Sequence, residues 1–158
     1  MSEYLLIKWI HLLSATFLFG IGLGSAFYKW RTDKDGHLPA MVQTNRLVVI
    51  ADWIFTTPTI IIQPLSGWRL LQVLGIPLDQ GWVVAAFALY GVAGLCWLPV
   101  VWLQIRMRDM AVTAMARGEP LSRDYLRYAR AWFWLGIPAF VCMVVIYGLM
   151  IFKPVIAP

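Results

Sequence analysis

The chain has 158 residues, 61% apolar and 13% charged, with 13 basic side chains against 8 acidic ones. A soluble domain typically carries about 25% charged residues, so this chain cannot build a polar shell, and its hydrophobicity excludes intrinsic disorder. The net charge of +5 does not point to nucleic acid, because the basic residues stand beside apolar spans.

A helix needs about 20 apolar residues to cross a bilayer core roughly 30 Å thick. Four stretches qualify: about 4–28, 48–74, 82–104 and 132–152. They leave no room for a soluble domain, so the expected fold is all-α, a single polytopic four-helix bundle over residues 1–158 whose main partner is the lipid bilayer. The first stretch exceeds the 7–15 residues of a signal-peptide core and no Ala-x-Ala-like site follows it, so no cleaved leader is expected.

The first span carries His11, roughly 10 Å from its terminal end by helix rise. His11, Ala15, Leu18, Gly22 and Ser25 share one face at helical spacing. One reading is close packing through Gly20 and Gly24, with His11 bonded to a neighbouring helix. The other is an imidazole axial ligand beside small residues that admit a flat macrocycle. Asp35-Gly36 breaks the chain, and the segment 29–47 holds Lys29, Arg31, Lys34, His37 and Arg46.

The second span contains Asp52, Pro58, Gln63, Pro64 and Arg69. Ionisable groups in a span are expensive and mark function or pairing. Asp52 is expected to form a structural ion pair with Lys29, Arg46 or Arg130. The prolines predict kinks, with Thr56, Thr57 and Thr59 re-satisfying freed carbonyls. Gly75-Ile76-Pro77 ends this span.

The third span carries Tyr90 and continues as a helix to about Arg117, before Gly118-Glu119-Pro120. Ser122 is the expected N-cap of a helix leading into the fourth span, which holds Met143 and Tyr147. The hairpin 105–131 carries six arginines, suited to anionic headgroups or to a soluble partner. Cys96 and Cys142 lie in spans at different depths and are expected to stay free thiols.

With four basic residues in 29–47 and six in 105–131, ten of the 13 lie on one side. The positive-inside rule puts both segments in the cytoplasm and both termini outside. Trp9, Trp30, Trp68, Trp82, Trp102 and Trp132 are expected at the interfaces. In this topology His11, Arg69, Tyr90, Met143 and Tyr147 share the outer half of the bundle. Together they offer an imidazole, a thioether and a guanidinium suited to carboxylates such as propionates.

Leu6-Ile7-Lys8-Trp9-Ile10-His11-Leu12-Leu13 resembles the opening of a bacterial family of predicted integral membrane proteins of unknown function. Asp52, Pro58, Pro64, Ser66-Gly67-Trp68, the run from Trp132 to Pro138, and Phe152-Lys153-Pro154 extend that resemblance over nearly the whole chain. The same skeleton is more distantly similar to HemJ-type protoporphyrinogen oxidases and copper-resistance D-type membrane proteins. The HemJ-type resemblance implies b-type haem with His11 as ligand. That family also uses an arginine late in its first helix and a lysine in its third; this chain has Gly22, Gly24 and Ser25, and no lysine from 81 to 104. Only His11 carries over, and whether the chain is an enzyme is left open.

Three functions follow as expectations. The first is a bacterial inner-membrane haem b protein in a redox or haem-related role, with a homo-oligomer or a membrane redox partner. The second is a non-catalytic anchor recruiting a cytoplasmic partner through 105–131. The third is a small oligomeric transporter built around the kinked second helix.

Overall fold

The computed structural model describes residues 2–155, and within them the regular structure is entirely helical. Helix α1 spans Glu3–Asp35. Helix α2 spans Leu38–Leu74, α3 spans Gly81–Arg117 and α4 spans Arg123–Phe152. Each is long and apolar enough to cross a membrane. At 1.5 Å per residue the 33 residues of α1 reach about 50 Å, well beyond a 30 Å core. The helices therefore overrun the expected spans, chiefly at the end of the bundle that carries the basic segments. Much of the expected loop 29–47 is helix, interrupted only at Gly36 and His37.

The punctuation works through backbone chemistry. Ser2 accepts the Leu5 N–H at 3.4 Å and Ser122 accepts the Tyr125 N–H at 3.4 Å, each satisfying a free donor at a helix start. Gly36 and Gly118 end α1 and α3 with φ of 71° and 65°, a left-handed geometry that a side chain resists.

Helix α2 is continuous but irregular. Its segments Leu38–Ala51 and Thr57–Leu74 are joined by a π-helical turn, Asp52–Thr56. Pro58 cannot donate to the Ile54 carbonyl, and its ring would crowd it. The widened turn lies where that clash would fall, and the Thr57 hydroxyl donates to the Asp52 carbonyl at 2.9 Å. Thr59 donates to the carbonyls of Phe55 and Thr56 at 2.7 and 2.9 Å. Pro64 frees the Ile60 carbonyl, and Tyr90 of α3 donates to it at 2.7 Å. A side chain of the neighbouring helix thus replaces the missing backbone bond.

The tightest packing lies at the basic end. Met41, Val42, Leu103, Met107, Ala111 and Tyr125 form its centre. Beside them Lys29 is fully buried. Its ammonium donates to Asp33 at 2.7 Å and to the Tyr125 hydroxyl at 3.1 Å. Tyr125 donates to Asp33 at 2.6 Å and accepts from Asn45 at 2.8 Å. The ammonium also lies 5.2 Å and 5.5 Å from the ring centroids of Tyr125 and Trp132, within cation–π range.

Helix α3 packs along α4 and against the first half of α2, and α1 packs along the whole of α2, most extensively on its second half. Helices α1 and α4 touch only sparsely. The bundle is therefore an open ring with a seam between α1 and α4. Phe19 bridges that seam, with ring centroids 5.0 Å from Phe140 and 5.5 Å from Tyr147.

Candidate functional site

The histidine of α1 meets the second half of α2. Ser66 donates its hydroxyl hydrogen to the Ile62 carbonyl at 2.6 Å, so its oxygen is left to accept. His11 Nδ1 stands 2.9 Å from that oxygen and is therefore the protonated nitrogen. Nε2 is then the acceptor, and the Gln63 amide faces it at 3.2 Å. Ser14 donates to the Gln63 carbonyl oxygen. One neutral tautomer satisfies the whole network, and His11, Ser14, Gln63 and Ser66 are all buried.

Gly67 fixes how closely the two helices approach. A Cβ there would lie 3.2 Å from His11 Cε1. Gly20 and Gly24 have open space where a side chain would go, so the pair suggested by sequence does not mediate the close contact. The small residue opposite the histidine is on α2 instead.

Two cavities lie along the α1–α4 seam. The one nearer the termini has a volume of about 490 Å³ and is lined by His11, Gln63, Tyr90, Met143 and Tyr147, with Lys8 and Lys153 also on its wall. Four of the five side chains expected to converge do share this cavity. Arg69 does not line it; it is exposed and bonds to Glu3, with Nε to Oε1 at 2.9 Å. The second cavity, about 350 Å³, lies toward the basic end and includes Asp52. Tyr90 and Met143 line both.

Asp52 does not form the ion pair expected of it. Among the described residues no basic side chain lies within salt-bridge distance. Lys29, one of the three cations expected at its level, is taken by Asp33 four residues on, the spacing that faces two side chains on one helix. Oδ1 instead accepts the Thr56 hydroxyl at 2.9 Å. Trp132 is a second correction. It is buried beside Lys29 rather than displayed at an interface, while Trp9, Trp30, Trp68 and Trp102 are exposed.

Sequence reasoning missed Asn45, Tyr125, Trp97 and Gln104. The Lys29/Asp33 spacing was a legible signal for the first two. Trp97 and Gln104 are seven apart on α3, hence on one face, and only the face was readable. Cys96 and Cys142 are free thiols, and among the described residues no group of three or more His, Cys, Asp or Glu side chains could hold a metal ion.

Residues 5–154 match the family described as "Predicted integral membrane protein (DUF2269)". The chain belongs to that family. The match covers all four helices of this DUF2269 protein except the first two residues of α1. No curated protein and no solved structure is significantly similar to it.

Proposed function

We propose that this is a bacterial inner-membrane protein with both termini outside, and that its cavity near the termini binds b-type haem through His11. The charge asymmetry supports the orientation, since ten of 13 basic residues lie at one end of the bundle. The observation that carries the haem reading is the state of the imidazole. With the proton on Nδ1 facing Ser66, Nε2 is the basic nitrogen, engaged only by the Gln63 amide, and His11 lines a 490 Å³ cavity. Metal-ligating histidines are typically oriented by an acceptor on the other nitrogen, most often a carboxylate, backbone carbonyl or water, and the Ser66 hydroxyl oxygen stands in that place here.

The other residues fit the same group. Gln63 donates to Nε2 and would give up that bond to the iron, while its carbonyl oxygen remains tied to Ser14. Met143 and Tyr147 line the cavity and are candidates for the sixth position. Lys8 and Lys153 offer ammoniums to the propionates, the role sequence suggested for Arg69. When bound, haem would supply one-electron chemistry at iron. Ser66 keeps the ring in one tautomer and orientation, and Tyr90 and Tyr147 add aromatic surface to the cavity wall. The resemblance of the Lys8–His11 segment to HemJ-type proteins supports the same assignment.

The test is an absorbance spectrum of the haem-supplemented protein in mild detergent, oxidised and then reduced with dithionite. Wild type should show a Soret band and reduced b-type peaks. His11→Ala should lose them, and Ser66→Ala should weaken haem affinity about 10- to 100-fold. A colourless wild type overturns the reading.

A second reading rests on the exposed arginines Arg117, Arg123 and Arg130, which have no acidic partner among the described residues. They suit recruitment of an acidic cytoplasmic protein to the α3–α4 hairpin. Charge reversal there should abolish co-purification while leaving the spectrum intact.

A further inference from the structure

Four buried side-chain polar atoms have no hydrogen-bond partner among the described residues: Asp52 Oδ2, Gln104 Oε1, Trp97 Nε1 and Trp132 Nε1. All four residues line the second cavity, about 350 Å³ in volume. They come from three helices, α2, α3 and α4, so no local sequence feature accounts for their meeting. Asp52 is only 6% exposed and Gln104 only 4%. Unpartnered polar atoms at this depth are rare and call for an occupant.

The chemistry of the four atoms limits that occupant. Two are acceptors, one of them a carboxylate oxygen. Two are indole N–H donors. The nearby ammonium of Lys29 is already matched by Asp33, and the side chains that face the Asp52 carboxyl, Thr56 and Gln104, are uncharged, so no cation among the described residues compensates it. A buried carboxylate without a counter-ion is costly, and an incoming cation relieves it. The remaining wall is mostly aliphatic and small, but it includes Phe19, Phe133 and Phe140 beside the two tryptophans, and ring faces attract an ammonium. The indole N–H groups in turn need an acceptor on the same ligand. The cavity lies along the sparse α1–α4 seam, which gives a route of entry from the lipid side.

We propose that this second cavity is a binding site for a small organic ammonium that also carries a hydroxyl or carbonyl, with Asp52 as counter-ion. Asp52 Oδ2 and Gln104 Oε1 accept from the ammonium. Trp97 and Trp132 donate to the ligand oxygen. Thr56 holds the other carboxylate oxygen and fixes the direction of the acid. His11 does not line this cavity, but Tyr90 and Met143 border both, so the titration is made on protein without added haem.

The experiment is calorimetric titration of the whole protein in nanodiscs of neutral lipid, with empty discs as control. The probe is 2-amino-1-phenylethanol, and its uncharged isostere is 1-phenylethane-1,2-diol. Wild type should bind the ammonium saturably and the diol at least tenfold more weakly. Asp52→Asn keeps the acceptor for Thr56 and should weaken ammonium binding at least tenfold. Trp97→Phe should weaken it several-fold by removing one donor. Absence of saturable binding to wild type, as expected of a cavity that holds only water, overturns the proposal. So does equal affinity for the diol, or undiminished ammonium binding in Asp52→Asn. Should Asp52→Asn fail to fold, the contrast between ammonium and diol on wild type decides by itself.

Discussion

The hydroxyl of Tyr125 donates once and accepts twice, tying Asp33 of α1, Lys29 of α1 and Asn45 of α2 to the start of α4. No apolar side chain replaces that. Tyr125→Phe keeps the ring under the Lys29 ammonium but strips the hydroxyl from two buried donors. It should destabilise the protein by about 1–3 kcal/mol, read as a lowered melting temperature in detergent. A change within error would mean that water takes over both bonds. At this scale the sequence was partly legible. His11 announced itself as the lone histidine in a span, but its partners Ser14, Gln63 and Ser66 are ordinary polar residues whose meeting depends on the packing of α1 on α2. Lys29 read as a charge of the basic segment 29–47 and a candidate partner for Asp52, because the helix was expected to end at Tyr28. It ends at Asp35, and the extra two turns carry the lysine into a closed environment.

Helix α2 concentrates the irregularity of the fold. Two prolines, a π-helical turn and three threonines occupy Asp52–Pro64, and both cavities border this stretch. The sequence predicted kinks and threonine rescue, and the hydroxyls of Thr57 and Thr59 do bond to local carbonyls. It could not predict that Tyr90 rescues the carbonyl freed by Pro64, because that donor belongs to another helix. A double-mutant cycle isolates the arrangement. Tyr90→Phe should cost about 1–3 kcal/mol in wild type, where the part-buried Ile60 carbonyl is left unpaired. In a Pro64→Ala background residue 64 regains its N–H, so the same substitution should cost markedly less. Equal costs in the two backgrounds, measured by thermal unfolding, would separate Tyr90 from the proline.

As a whole the bundle is closed and well packed at its basic end and open along α1–α4, where the cavities lie. The proposed orientation predicts a simple labelling pattern in a variant with Cys96 and Cys142 replaced by alanine. A cysteine at Asp79, in the turn between α2 and α3, should react with a membrane-impermeant maleimide in intact cells. A cysteine at Gly118 should react only after permeabilisation. The reverse pattern would invert the topology and put the arginine hairpin outside, which would remove the basis for a cytoplasmic partner.

The sequence by itself determined the four membrane-crossing helices, their breaks and their charge asymmetry. Each depends on local quantities: apolar run length, a glycine able to turn left-handed, a serine able to cap, basic residues near the ends of a span. Only the tertiary structure decided which polar side chains meet. It gave Lys29 to Asp33, left Asp52 without a counter-ion, moved Arg69 out to Glu3, and set Trp97, Gln104 and Trp132 around one cavity with Asp52. Pairing inside a bilayer depends on the rotation and depth of whole helices against one another. Those are fixed by the sum of many weak packing contacts, not by any residue's own spacing.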